Sequence, residues 1–371
     1  MNSQSFIDTL EKESTYDEFG RFLEERARRE NVPISVLFEL TPLCNLSCRM
    51  CYVHLQPEQM DRPLLPTEEW KFLIDQAYQK GMLQASISGG ECLTYPGFDE
   101  IYLHLLAKGV QTSVMTNGLL LDEDRIAFFT RHRPAVIQVT LYGSNDDAYE
   151  RVTGKGCFKE VIRNIENAVH AGLVLTISLT PNRFSGEDLL SILKLGKKMG
   201  LPVYINTSVF DPRPETGRSG GEFDVDPEMY ARLWRLYGEL FGGEKAEEIE
   251  LYKLPAAGGP CHSTDEKGLL CGGGRSACVL DWKGIMHPCN QLPFSADPLK
   301  DGYDIAWKQI NEYVRNYPRV AECKGCPYDR VCVRCAGRML PYAEPGKQPL
   351  RLCEKTRYLV HRGVIGIPDC E

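Results

Sequence analysis

The chain has 371 residues, of which 43% are hydrophobic and 25% charged, a composition that excludes a disordered or fibrous protein. Its formal net charge of −8 argues against nucleic acid or an anionic membrane surface as a partner, because basic patches recognise both. The N-terminus carries no secretion signal and no window approaches the about 18 apolar residues of a membrane span, so we expect a cytoplasmic protein.

Apolar, β-rich runs alternate with amphipathic helical runs along the first two thirds of the chain. Strands are predicted at 35–41, 83–88, 111–116, 135–142, 174–180 and 202–209. A helix is predicted after each strand, at about 67–80, 98–108, 122–132, 159–171, 186–199 and 227–241. Their continuous hydrophobicity is typical of parallel strands buried on both faces. Six such units predict an α/β fold, a partial (β/α)6 TIM-like barrel with its functional loops at the C-terminal strand ends.

The pattern changes after about residue 242, where Gly, Pro and Cys become frequent and helical periodicity is weak. A region of this composition is expected to depend on bound metal for its order. We therefore predict an N-terminal helical segment at 1–34, the barrel at 35–241, and a bridging region followed by a small cysteine-rich domain at 242–371.

Three of the 15 cysteines, Cys44, Cys48 and Cys51, follow the first predicted strand with the spacing CX3CX2C. A reducing compartment favours metal or cluster ligation over disulfides for such spacings. Iron–sulfur clusters are normally held by four cysteine thiolates, so a loop with three leaves one iron open to a substrate or cofactor. An incomplete zinc knuckle and unrelated thiols are the alternatives.

This spacing after a first barrel strand resembles the radical S-adenosylmethionine (SAM) superfamily. The resemblance implies a [4Fe–4S] cluster on Cys44, Cys48 and Cys51, the residues that would carry catalysis, with the open iron chelated by the amino and carboxylate groups of SAM. It also implies reductive cleavage of SAM to methionine and a 5′-deoxyadenosyl radical, which abstracts hydrogen from substrate. Met50 departs from the family, which usually has an aromatic residue before the third cysteine, yet methionine can pack there.

Further segments resemble the family where the barrel prediction places them: "SGGE" at 88–91, "MTNG" at 115–118 and "TLYGSNDDAYERVTG" at 140–154. Glycines allow close backbone approach, and a carboxylate is an acceptor for the SAM ammonium. An arginine would pair with the SAM carboxylate, although a solvated helix position is an equal alternative for it. The implied cofactor-binding residues are Gly89, Gly90, Glu91, Thr116, Asn117, Thr140 and Arg151.

The C-terminal cysteines resemble the SPASM extension of radical SAM enzymes, which carries two auxiliary [4Fe–4S] clusters. The resemblance implies one cluster on Cys271, Cys289 and Cys335, with Cys261 as the fourth ligand or an open iron in its absence. It implies a second cluster on Cys323, Cys326, Cys332 and Cys353. A structural zinc site is the alternative for the CX2CX5CX2C motif, since paired CX2C elements suit a tetrahedral metal.

Four cysteines fall outside these motifs: Cys92, Cys157, Cys278 and Cys370. Of these, Cys278 and Cys370 are candidates for donating a hydrogen atom, as in the peptide epimerases of the superfamily. Asn290 follows Cys289, where the sulfatase-maturing branch has an aspartate as catalytic base. Because asparagine cannot take up a proton in that role, sulfatase maturation is disfavoured.

The function expected from the resemblance is hydrogen abstraction from a ribosomal precursor peptide, most often to form a C–C, ether or thioether cross-link. The alternatives are peptide epimerisation, dehydrogenation of a small molecule, and electron transfer or iron sensing without SAM. The expected partners are the precursor peptide, a low-potential electron donor of the flavodoxin or ferredoxin type, and a separate peptide-recognition protein, because only about 34 residues precede the first strand.

Overall fold

A computed structural model describes residues 16–206, 209–217, 223, 225–241, 267–329, 331–332 and 334–364. In these residues the six predicted strands form, and each pairs in parallel with the next along the chain. They are β1 (Ser35–Glu39), β2 (Gln84–Ser88), β3 (Gln111–Thr116), β4 (Val136–Leu141), β5 (Leu175–Leu179) and β6 (Val203–Ile205). The predicted α/β fold with a parallel partial-barrel sheet is confirmed.

Helices connect these strands and cover one face of the sheet. An N-terminal helix, α1 (Tyr16–Glu30), precedes β1. The six predicted connecting helices form with bounds close to the predicted ones: α2 (Thr67–Gln79), α3 (Phe98–Ala107), α4 (Glu123–Arg131), α6 (Phe158–His170), α7 (Asp188–Lys198) and α8 (Pro227–Phe241). None of the described helices is long and apolar enough to cross a membrane.

The inner face of the sheet is less buried than the outer face, although the continuous hydrophobicity of the strands is typical of burial on both faces. On β4, Ile137, Val139 and Leu141 are buried, whereas the alternating Gln138 and Thr140 are only half-buried. Successive strand residues point to opposite faces, so one face packs against helices and the other carries polar, partly accessible side chains. A polar inner face at the end of an incomplete barrel suits a bound ligand.

The sheet continues into the C-terminal region, which the sequence did not predict. Strand β7 (Ala277–Leu280) pairs in parallel with β1, and β8 (Met286–His287) pairs antiparallel with β7. The full strand order is β6-β5-β4-β3-β2-β1-β7-β8. The α-helices described in this C-terminal region are α9 (Pro298–Asp301), α10 (Tyr303–Asn316), α11 (Ala336–Met339) and α12 (Leu350–His361).

A further helix, α5 (Asp146–Thr153), lies in the segment after β4 that was predicted to bind cofactor. The Asn145 side chain caps its start by accepting from Ala148 N over 2.9 Å. Gly154 ends it with φ of 77°, the left-handed conformation common after a helix. The helix therefore presents its C-terminal end to the cysteine loop that follows β1.

Candidate active site

The loop with Cys44, Cys48 and Cys51 begins at the C-terminal end of β1 and is braced by α5. Ser47 N donates to Thr153 O over 2.9 Å, and Arg49 N donates to Val152 O over 3.0 Å. The last turn of a helix has unpaired carbonyls, so these bonds use acceptors that α5 leaves free. The structure thus holds the predicted cluster loop in a fixed place at the functional edge of the sheet.

The three thiols of this loop lie close enough for their charges to interact. Burial raises the pKa of Cys44 to about 12, with smaller contributions from Glu91 and Cys51, and burial also raises the pKa of Cys48. Since only thiolates bind metal, cluster assembly here must release protons. Three such thiols on one loop fit a cluster with one open iron, as the sequence predicts.

Hydrogen-bond donors surround the sulfurs of this loop. Leu46 N donates to Cys44 Sγ over 3.4 Å, and His54 N donates to Cys51 Sγ over 3.3 Å. The Tyr142 hydroxyl hydrogen-bonds to Cys48. Hydrogen bonds to cluster sulfurs influence the reduction potential. The loop therefore already supplies the surroundings that a cluster requires.

The Gly89–Gly90 turn packs directly on the start of the cysteine loop. Gly90 N donates to Thr41 O over 2.6 Å. A Cβ at Gly89, which has φ of 144°, would lie 2.4 Å from Thr41 O, and one at Gly90 would lie 2.3 Å from Leu43 O. Both positions therefore require glycine, because backbone occupies the space of a side chain.

Glu91 is 1% exposed, and its carboxylate binds the end of β3. Oε1 accepts from Thr116 Oγ1 over 2.8 Å, and Oε2 accepts from Asn117 N over 2.8 Å. Burial raises the pKa of Glu91, and these bonds oppose that effect. In this structure Glu91 connects the turn to the next strand, and its binding of the SAM ammonium stays a prediction.

Asn117 also links the end of β3 to the cysteine loop. Its Nδ2 donates to Asn45 Oδ1 over 2.7 Å and approaches Cys44 Sγ at 3.7 Å. Thr116 and Asn117 are each 5% exposed. The "SGGE" and "MTNG" segments and the cysteine loop thus form one hydrogen-bonded unit at neighbouring strand ends.

Thr140 and Arg151 are placed differently. Thr140 is half-buried on the inner face of β4, opposite Ser178 on β5. Arg151 lies on α5, where its guanidinium donates to Asp188 Oδ2 over 2.6 Å and to Phe184 O over 3.1 Å. Binding of the SAM carboxylate by Arg151 stays a prediction, and it would require the guanidinium to leave Asp188.

Arg151→Ala is expected to raise the KM for SAM about tenfold or more, because a hydrogen bond to a charged group contributes about 1.5–3 kcal/mol. The exposed ion pair with Asp188 that is also lost contributes only about 0.2–1 kcal/mol to stability. The measurement is 5′-deoxyadenosine formation at varied SAM. Asp188→Asn is the matched control, since it breaks the same pair. A KM within about threefold of wild type in Arg151→Ala, or an equal rise in Asp188→Asn, would contradict binding of the SAM carboxylate by this arginine.

The structure brings Cys271, Cys289 and Cys335 together. The thiol charges of Cys271 and Cys289 interact with each other and with Cys335. Burial raises the pKa of Cys289 to about 12 and raises that of Cys271. Cys271 precedes β7, Cys289 follows β8 and Cys335 precedes α11. Cys261, the fourth predicted ligand, lies outside the described residues.

The second predicted set also converges. The charge of Cys323 interacts with those of Cys326, Cys332 and Cys353, and burial raises the pKa of Cys323 to about 11. Thr356 Oγ1 donates to Cys332 Sγ over 3.6 Å. Across the described ranges, no three Cys, His, Asp or Glu side chains are arranged to hold a single metal ion. The charges of the described members of each set interact, and both ligand sets stay predictions.

Cys278 is not placed to donate a hydrogen atom near Cys44. It lies on β7 in register with Val36, at the start of β1, whereas the cysteine loop follows the end of that strand. It is 2% exposed and hydrogen-bonds to Tyr303. Cys92 and Cys157 are buried thiols, and Cys370 lies outside the described residues.

The sequence did not reveal a buried polar network beside the cysteine loop. Tyr52 Oη donates to Glu39 Oε1 over 2.7 Å, and Asn290 Nδ2 donates to Tyr52 Oη over 2.9 Å. Arg213 Nη1 lies 2.7 Å from Glu39 Oε2 and forms an ion pair with it. Glu39 could have indicated this network, because it is an acid at the end of an apolar strand, and buried charges are usually paired.

Known proteins resemble this chain over most of its length. The model of the radical SAM superfamily matches residues 38–196. An AdoMet-dependent heme synthase of Methanosarcina barkeri is 26% identical in an alignment 355 residues long that covers 90% of this chain and 97% of that protein. The mycofactocin maturase MftC of Mycolicibacterium smegmatis is 26% identical in an alignment 325 residues long that covers 84% of this chain and 80% of that protein.

Solved structures share the fold. Streptococcus suis SuiB bound to S-adenosylmethionine superposes with a TM-score of 0.67 at 16% identity, over 89% of this chain and 80% of that one. SuiB bound to precursor peptide SuiA gives the same TM-score. The anSMEcpe protein with bound AdoMet gives 0.66 at 14% identity, over 89% of this chain and 98% of that one. Residues 38–196 of this chain therefore match the radical SAM superfamily, and the chain shares its fold with these solved structures.

Proposed function

We propose that this protein cleaves SAM reductively and abstracts hydrogen from a peptide, most often to form a C–C, ether or thioether cross-link in a ribosomal precursor. The observation that carries the proposal is the hydrogen-bonded unit of the cysteine loop, the Gly89–Gly90 turn and the end of β3. It combines three interacting thiols with an accessible, polar inner sheet face. When bound, the cluster supplies the electron that generates the 5′-deoxyadenosyl radical.

The residues of this unit have distinct proposed roles. Cys44, Cys48 and Cys51 would hold three irons, the Gly89–Gly90 turn would let the backbone come close to SAM, and Glu91 would accept from the SAM ammonium. Thr116 and Asn117 are proposed to lie beside the cofactor at the end of β3, where they hydrogen-bond to Glu91. Thr140 on the inner face is the proposed partner of the ribose hydroxyls, and Arg151 that of the SAM carboxylate.

Two auxiliary [4Fe–4S] clusters are proposed in the C-terminal region. Cys261, Cys271, Cys289 and Cys335 hold one, and Cys323, Cys326, Cys332 and Cys353 hold the other. The support is that the described members of each set have interacting charges. Their role is to accept the second electron of an oxidative modification or to bind the peptide.

Anaerobically reconstituted protein is expected to contain about twelve irons per chain, because three cubane clusters hold four irons each. Iron and zinc are measured together by elemental analysis against protein concentration. Protein that holds about four irons with bound zinc would contradict the auxiliary clusters, while leaving the SAM-binding cluster in place.

The peptide substrate is supported by named relatives. MftC is a maturase, and SuiB has been solved with a precursor peptide. The similarity to an AdoMet-dependent heme synthase favours the second candidate, a small-molecule substrate, because that protein is covered over 97% of its length. Both candidates use the same SAM site, so the substrate must be tested directly.

The test uses a short open reading frame beside the gene as a candidate precursor. Incubation with reduced enzyme and SAM, followed by mass spectrometry, is expected to show loss of two hydrogens. Deuterium uptake from solvent without a net mass change would indicate epimerisation instead. An unmodified peptide, together with 5′-deoxyadenosine formation that a small molecule stimulates, would overturn the peptide proposal.

The remaining proposals concern the protein's partners and its cellular location. A flavodoxin- or ferredoxin-type protein is proposed as the electron donor, and a separate recognition protein as the carrier of the peptide. A reducing cytoplasm is proposed as the location, because it keeps the 15 cysteines available for clusters.

A further inference from the structure

The loops that carry two proposed cluster ligands meet in one hydrogen bond. Tyr52 directly follows Cys51 of the SAM site, and Asn290 directly follows Cys289 of an auxiliary site. Asn290 Nδ2 donates to Tyr52 Oη over 2.9 Å, across a sequence separation of 238 residues. The two cluster sites are therefore joined by neighbours of their own ligands.

On the SAM side, Tyr52 lies in a turn that donates a hydrogen bond to a ligand sulfur. The turn begins at Cys51, and His54 N donates to Cys51 Sγ over 3.3 Å. Tyr52 stands between the sulfur and its donor along the chain. A shift of Tyr52 therefore moves the His54 amide relative to the sulfur.

The auxiliary side has the same arrangement. The backbone amides of Gln291 and Leu292 hydrogen-bond to Cys289. Asn290 stands between that sulfur and both amides. Release of Asn290 from its partner would therefore free the turn that holds these donors.

Tyr52 is itself held by buried charge. Its hydroxyl donates to Glu39 Oε1 over 2.7 Å, and Glu39 is 0% exposed and paired with Arg213. Because the tyrosine hydrogen is directed at the carboxylate, the tyrosine oxygen is left to accept, and an amide nitrogen is the matching donor. An ionised aspartate at position 290 would place a carboxylate oxygen against the Tyr52 oxygen, and both are acceptors in this contact. Asparagine supplies the donor that the contact requires.

We propose that Tyr52 is a positioning residue that fixes the hydrogen-bond donors on both ligand sulfurs and so sets the reduction potentials of the SAM-binding cluster and the adjoining auxiliary cluster together. The inference rests on the proposed function, since it requires both clusters. Hydrogen bonds to cluster sulfurs stabilise the more negative, reduced state and raise the potential. Loss of Tyr52 Oη therefore lowers both potentials.

The test compares Tyr52→Phe, Asn290→Ala and the control Tyr102→Phe in anaerobically reconstituted full-length protein. Tyr102 Oη donates to His132 O over 2.7 Å on the outer helix α3, so the control removes a similar bond elsewhere. EPR-monitored redox titration follows the adjoining auxiliary cluster in a Cys44→Ala, Cys323→Ala background. The SAM-binding cluster is followed in a Cys289→Ala, Cys323→Ala background.

Tyr52→Phe is expected to lower the reduced-to-oxidised ratio at a fixed applied potential about tenfold at both sites, equivalent to about 59 mV for one electron. Asn290→Ala, which keeps the bond from Tyr52 to Glu39, is expected to lower the auxiliary potential. Tyr102→Phe is expected to change neither.

Iron content separates the failure of this inference from failure of the proposed function. With the titrated cluster fully loaded in each background, unchanged potentials in Tyr52→Phe, or a shift confined to one site, would overturn the inference alone. Wild-type protein without auxiliary iron would overturn the proposed auxiliary clusters and, with them, this inference, while the SAM-binding site would stand. Should Tyr52→Phe fail to load clusters, an unchanged auxiliary potential in Asn290→Ala would also overturn the inference.

Discussion

Cys44→Ala is expected to lower 5′-deoxyadenosine formation by dithionite-reduced enzyme by more than about 100-fold, the upper range for loss of an outer-shell partner of a metal site. Cys44 is one of three interacting thiols on a single loop, and Asn117 and Leu46 both direct hydrogen-bond donors at its sulfur. Removing one of three thiolates leaves a second iron without a protein ligand. Chromatography of the products after incubation with SAM measures the effect.

Cys157→Ala is the matched control for this experiment. Cys157 is 4% exposed and precedes helix α6, away from the three thiols. Its truncation removes one buried sulfur at a cost to stability of about 1 kcal/mol or more, without touching a proposed ligand. Wild-type yields of 5′-deoxyadenosine from Cys44→Ala would contradict the assignment of the SAM-binding cluster.

The sequence predicts the barrel well because each βα unit is specified locally. The strands and helices of the first 241 residues follow from short hydrophobic runs and helical periodicity, which neighbouring residues determine. Neither a hydrophobic run nor helical periodicity predicts strand β7. It has only four residues in a glycine-rich stretch, and its pairing with β1 joins segments about 240 residues apart. Long-range pairing of so short a strand leaves no local pattern.

The candidate site, too, can be predicted from the sequence only in part. The spacing of Cys44, Cys48 and Cys51 and the glycines of the turn are visible in the sequence, because the backbone itself determines their geometry. The binding of Glu91 to Thr116 and Asn117 is not, since an acid after two glycines gives no sign of which way its side chain points. Contacts between distant side chains depend on packing that only the folded structure provides.

The network around Tyr52 shows this limit most clearly. Asn290 attracts notice in the sequence only because it replaces an expected aspartate. Its partner lies 238 residues away, and the partner's second bond is to a carboxylate on β1. Asn290 cannot act as the base that an aspartate would provide, but its amide donates a hydrogen bond to the Tyr52 oxygen.

Gly90→Ala is expected to remove the SAM-binding cluster from an otherwise folded protein. The new Cβ would lie 2.3 Å from Leu43 O and 2.7 Å from Pro42 O, and both are backbone atoms that cannot rotate away. Overpacking of this kind costs about 1–3 kcal/mol, and here the displaced segment leads directly into Cys44. The cysteine loop must therefore move relative to Asn117 and the end of β3.

Iron content distinguishes this local effect from general unfolding. Reconstituted Gly90→Ala is expected to hold about eight irons in place of about twelve, because the auxiliary sites lie elsewhere in the chain. Gly20→Ala is the matched control, since a Cβ at Gly20 meets nothing within 4 Å on helix α1. Alanine there is expected to stabilise the helix by about 0.5–1 kcal/mol and to leave the iron content unchanged. A full complement of iron and normal SAM cleavage in Gly90→Ala would show that the turn does not position the cysteine loop.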